Sequence, residues 1–189
     1  MVFGGPFLST FCGQTGGTSR PGLLALEPGS VIAFGSRPNY QWVCDTVLVV
    51  REAIEHKRTD YEALLGTKAA ELAFALTLRP MYSWPKAQGP FNAMFGATPE
   101  QTVEGMFSFV PCRPAADGVL CGFNRPRLLD HPAINPSNTQ AVSQNEQISV
   151  DEFQTRWCQI ADTVTAAGLA LAARLDPPAA DIFEHVRIG

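Results

Sequence analysis

A chain of 189 residues, 46% hydrophobic and only 17% charged, can bury one sizeable core and is too apolar for an extensively disordered protein. With 14 Lys and Arg against 18 Asp and Glu, the net charge of -4 supplies no global basic field to gather nucleic acid, so a polyanion has to bind at a local patch. Five cysteines are an odd number and too sparse for a disulfide scaffold, which points to a reducing cytoplasm.

The first residues, MVFGGPFLSTFCG, are apolar but carry no basic group and are broken by Gly4, Gly5 and Pro6, so no secretory signal is expected. Val2 and Phe3 are already apolar, as though a strand preceded them. No run reaches the roughly 20 apolar residues that a membrane-spanning helix needs. The 16 glycines and 15 prolines punctuate the whole chain and predict short elements within a single domain over residues 1–189.

The segment CGQTGGTSRPG (12–22) is a Gly and Thr loop of the kind that presents backbone amides to phosphate, but it lacks the Gly-Lys-Ser or Gly-Lys-Thr ending of a phosphate-binding loop and reads as a turn. PGSVIAFGS and WVCDTVLVV then give two β-rich runs, Val31 to Phe34 and Trp42 to Val50, separated by Gly35, Ser36, Pro38 and Asn39: a hairpin. Val43, Val47 and Val49 alternate with Trp42, Leu48 and Val50, so both faces of the second strand are apolar, as in the middle of a covered sheet. Asp45 interrupts the first face.

Thr59 with Glu62 forms a capping pair that opens a helix near residues 59–76, which Gly66 ends or weakens. TLRPMYSW is β-like, and Pro80 assigns it to an edge. NAMFGATP and GMFSFVPC read as two more short strands, NPSNTQAVSQNEQ (135–147) as a polar connector. Ser149 and Glu152 make a second capping pair, and Phe153, Trp157, Ile160 and Val164 follow at helical spacing over 150–167. Gly168 suits a left-handed helix end, with LALAARLDPP as a return strand or as a continuation of the helix. The expected fold is α+β: a twisted, largely antiparallel or mixed sheet of about five to seven short strands packed by two main helices.

The richest chemistry lies in EGMFSFVPCRPAADGVLCGFNRPRL (104–128). Phe107 and Phe109 share one strand face, and Arg113, Asn124, Arg125 and Arg127 occupy the turns that follow. Aromatic faces stack bases and guanidinium groups grip phosphate, so the set suits a nucleotide or a single strand. The plainer alternative is a core strand followed by a wet loop. Cys112 and Cys121 stand too far apart for a usual zinc pair, and His131 and Cys158 would have to complete the set; no metal or cofactor is expected. Cys112 is also a candidate nucleophile, with His131 as base, Asp130 or Asp45 as orienter and Arg113 lowering the thiol pKa, although buried cysteines commonly only pack. Asp45 on a central strand costs free energy unless it is paired, which makes it a ligand contact, a catalytic group or a structural partner for an arginine or backbone amides.

PGSVIAFGS, WVCDTVLVV, GMFSFVPC and GFNRP together resemble the compact PUA-like domains that read RNA or modified DNA bases, and in particular the bacterial and phage nucleotide modification associated domains. The resemblance covers residues 28–50 and 104–128. It implies a prokaryotic α+β domain, with the sheet curled as in a PUA-like open barrel, acting near modified nucleotides, with ligand contacts around Gly35, Ser36, Asp45, Phe109 and Arg125. The expected function is therefore binding of a nucleotide or modified base, with stacking by Phe109 or Trp42 and anion contacts from Arg113 and Arg125. A small enzyme using Asp45 or Cys112 on a nucleotide-like substrate, and a protein-interaction subunit, are the alternatives.

Overall fold

The computed structural model describes residues 7–10, 24–36, 42–69, 71, 74–85, 88–114, 122–123, 125–127 and 149–174. Among them two antiparallel sheets form around one long strand. That strand, β3 (Val43–His56), runs for 14 residues. β2 (Val31–Ser36) pairs with its first half, from Val31↔Val49 to Ser36↔Val43. β4 (Phe91–Gly96) pairs with its second half, from Val50↔Gly96 to His56↔Phe91. β1 (Leu8–Ser9) lies beyond β4, giving the order β1-β4-β3-β2. The predicted hairpin is present, and its second strand is longer than the apolar run because β4 continues the ladder.

Two irregularities shape β3. Its register with β2 shifts at Phe34/Gly35, where Asp45 has no Cα partner, and its register with β4 shifts between Val50 and Glu52, where Arg51 has none. An extra residue bends a strand and sharpens its twist, and the sheet curls into a half-barrel. The first bulge also changes the alternation: Cys44, not Val43, joins Val47 in one buried cluster.

The second sheet, β6-β5-β7, consists of β5 (Val110–Arg113), β6 (Gly122–Phe123) and β7 (Ala170–Ala172). It is joined to β3 through Val47 and Phe109, whose amides and carbonyls exchange hydrogen bonds of 2.9 Å, and through the Val43↔Arg127 bridge.

The helix α3 (Val150–Ala166) closes over this junction. Ser149 Oγ accepts a hydrogen bond from the Glu152 amide at 3.2 Å, and Gly168 ends the helix at φ 73°, so the chain turns directly into β7. The return strand, not the continued helix, is the outcome. Ile160, Ala161 and Val164 pack on Cys44, Val47 and Phe109, while Phe153 and Trp157 pack towards Val49, Ala97 and Met106. Ser149→Ala is expected to lower stability by about 1 kcal/mol, the usual value of a lost N-cap; urea unfolding of the two proteins measures it.

The other helical layer departs from expectation. In place of one helix over 59–76 there is α1 (Tyr61–Leu65), then a π-helical turn (Phe74–Leu78) that runs into α2 (Arg79–Ser83). The Thr59 cap does not form, because Asp60 takes the cap position and its Oδ1 accepts from the Lys57 amide at 2.6 Å. TLRPMYSW is helical, not an edge strand. Pro80 sits in the first turn of α2, where its missing amide and fixed φ cost nothing. Leu65, Phe74 and Leu78 cover Leu8, Ala93 and Phe95. On the opposite face of the sheet Phe7, Leu48, Val50, Met94 and Val110 form the inner core.

Candidate functional site

Three of the residues singled out from the sequence meet at the end of the β2–β3 hairpin where β2 stops and β3 begins. The bulge re-aims Asp45, and Ser36 at the end of β2 donates from Oγ to Asp45 Oδ1 at 3.4 Å. Arg125, 89 positions further along, donates from Nη1 to Ser36 Oγ at 2.9 Å and places Nε 3.6 Å from Asp45 Oδ1. The arginine is brought there by backbone pairing: the Cys44 amide donates to the Pro126 carbonyl at 2.9 Å, and Arg127 bridges to Val43.

Trp42 stands beside this corner. A Cβ on Gly35 would fall inside its indole ring, so the absence of a side chain at Gly35 lets the ring lie against the backbone. A carboxylate that accepts, a guanidinium that donates, a hydroxyl that does both and an aromatic surface thus lie within one short stretch of sheet edge.

The corner adds little to stability. The Asp45 side chain is 33% exposed and that of Arg125 is 57% exposed, and exposed pairs of this kind contribute about 0.2–1 kcal/mol. The fold therefore does not depend on this ion pair.

The remaining expectations fall elsewhere. Phe109 is completely buried, with Trp157 edge-on at 6.1 Å between ring centroids and Phe107 at 6.4 Å, so it cannot offer a face to a base. Its assignment as a stacking residue is replaced by a core role, because Val47 and α3 enclose it from both sides. Arg113 is exposed at the end of β5, opposite Gly122, and makes no hydrogen bond or ion pair with the Ser36–Asp45–Arg125 set. Asn124, Cys121, Asp130 and His131 lie outside the described residues.

Cys112 is buried between β6 and β7, opposite Phe123 and Ala170, which keeps its sulfur from solvent and from a substrate. Cys44, next to Asp45, was not singled out. Burial, reinforced by the Asp45 charge, pushes its thiol up to about 12, so it packs as a thiol and does not act as a thiolate. Among the described residues no group of three His, Cys, Asp or Glu side chains is placed to hold a metal ion, and no helix is long and apolar enough to cross a membrane. No protein family, curated protein or solved structure matches the chain.

Proposed function

We propose that the protein binds a nucleotide or a modified nucleobase at the Ser36–Asp45–Arg125 corner, in the manner of a PUA-like base-binding domain. The observation that carries this reading is the convergence of residues 36, 45 and 125 into one hydrogen-bonded set beside an indole. Asp45 accepts from base N–H groups, Ser36 reads either a donor or an acceptor, Arg125 takes phosphate or a carbonyl edge, and Trp42 stacks. The acidic net charge favours a free nucleotide or a single extruded base over a long polyanion. A prokaryotic cytoplasm, where Cys44, Cys112 and Cys158 stay reduced, fits these free thiols.

The test is a thermal-shift panel of nucleosides, nucleotides and short oligonucleotides with normal and modified bases. A ligand at a hundred times its Kd stabilises the folded form by about 2.7 kcal/mol. The expected result is an increase in Tm for one ligand class that disappears in Arg125→Ala and in Asp45→Asn. No shift across the panel, or a shift that survives both substitutions, sinks the assignment.

A further inference from the structure

The opposite end of β3 closes on His56, a residue with no part in the corner just described. Its ring is 1% exposed, and Nδ1 lies 3.2 Å from the carbonyl oxygen of Ile54. A carbonyl can only accept, so the proton sits on Nδ1 and Nε2 carries the lone pair. Nε2 is buried and has no hydrogen-bond partner among the described residues. The hydroxyl of Tyr82, itself 3% exposed, is likewise unpartnered among them.

These groups sit where the helical layer touches the sheet. The imidazole meets Tyr82 of α2 edge to face at 5.7 Å and Phe91 of β4 at 6.2 Å. Tyr61 of α1 lies 4.3 Å from the Tyr82 ring and stacks on Phe74 of the π-helical turn at 5.7 Å. One imidazole from the sheet is thus built into an aromatic cluster that holds α1, the π-helical turn and α2 in place.

We propose that His56 is a proton-sensitive latch: its neutral ring holds α1, the π-helical turn and α2 on the sheet, and its protonation loosens them at mildly acid pH. The titratable groups near it are Tyr82 of α2, which touches it, Tyr61 of α1, which packs on Tyr82, and Asp60 in the turn before α1, with Glu55 and Lys57 beside it along the chain; β4 contributes the uncharged Phe91. Burial disfavours the imidazolium and lowers the His56 pKa below 6.5, against the smaller opposing effects of the Ile54 carbonyl, Asp60 and the Phe91 backbone. Asp60 is poorly free to help, since its Oδ1 is engaged by the Lys57 amide. An N–H created on Nε2 would be buried at a place where that atom has no hydrogen-bond partner among the described residues.

The sign follows. With the folded pKa depressed, the released segment binds the proton more readily than the packed one, so packing is at full strength above about pH 6.5 and weakens as pH falls towards the folded value. One proton makes the opening equilibrium up to about tenfold more favourable for each pH unit in that window.

The experiment is hydrogen exchange on the full chain between pH 7.5 and 5, corrected for intrinsic exchange rates. Protection over residues 74–84 is expected to fall by up to about tenfold per pH unit below 6.5 while α3 keeps its protection, and His56→Gln is expected to abolish the dependence. Flat protection in the parent protein, or an equal fall in His56→Gln, overturns the proposal. Should His56→Gln not fold, the ring itself is titrated by NMR in the parent protein, which has three histidines. One imidazole titrating below 6.5 in step with the Tyr82 ring signals supports the latch, and all three titrating near 6.5 removes it.

Discussion

Phe109→Ala is expected to cost about 3–5 kcal/mol of stability, the range for truncating a buried aromatic in a core that cannot collapse around the gap. The side chain is wholly enclosed: Val47 pairs with its backbone, Trp157 and Phe107 meet its ring, and Ile160, Ala161 and Val164 close the cluster. Two sheets and α3 meet at this one residue, so the cavity would open where three elements depend on shared contacts. Urea unfolding at constant m-value measures the loss. A cost below about 1 kcal/mol, the scale of a surface truncation, would mean that the ring faces solvent and would restore it as a stacking group.

Gly35→Ala is expected to displace Trp42, and with it the aromatic side of the corner. The new methyl group would occupy the volume of the indole ring, whose six-membered part lies against Gly35. Overpacking of this kind costs about 1–3 kcal/mol, and swinging the ring away relieves it at the expense of the site. Ligand affinity is therefore expected to fall at least about tenfold, equivalent to 1.4 kcal/mol. A double-mutant cycle tests the cause. In a Trp42→Ala background the Gly35→Ala change should cost almost nothing, and two independent, additive effects would show that the ring and the glycine do not meet.

What could be read in advance follows the range of the forces involved. The hairpin over 31–50, the helix from Ser149 and its end at Gly168 rest on local signals, namely β-branched runs, a hydroxyl cap and a positive φ that glycine accepts, and these survive in the structure. TLRPMYSW was legible only as far as its composition. Its aromatic and Pro content suits an edge strand, but the apolar surface of Leu8, Ala93 and Phe95 needed a cover, and tertiary packing made it helical. The Thr59 cap failed for a local reason, since the helix starts at Tyr61 and Asp60, not Thr59, holds the cap position.

The site divides along the same line. Ser36, Asp45 and Arg125 were each identifiable by residue type, yet it is the pairing of Cys44 with Pro126 and of Val43 with Arg127 that brings Arg125, which follows β6, onto the first sheet. Phe109 could not be assigned, because alternation tells which residues share a face and not whether that face is covered. His56 gave no signal at all. A single histidine at a strand end becomes notable only when Tyr82 and Phe91 pack on it and Tyr61 packs on Tyr82, and those residues come from three separate elements.

Asp45 is a residue the ladder does not require. Phe34 faces Thr46 and Gly35 faces Cys44, so a chain lacking Asp45 would run Cys44 straight into Thr46 and pair with β2 as an unbroken ladder. Removing one codon would thus leave a plausible sheet and delete the carboxylate together with the bend that presents it. In evolutionary terms the corner is one in-frame insertion away from an ordinary hairpin, which gives this scaffold a short route to acquiring the site and an equally short route to losing it.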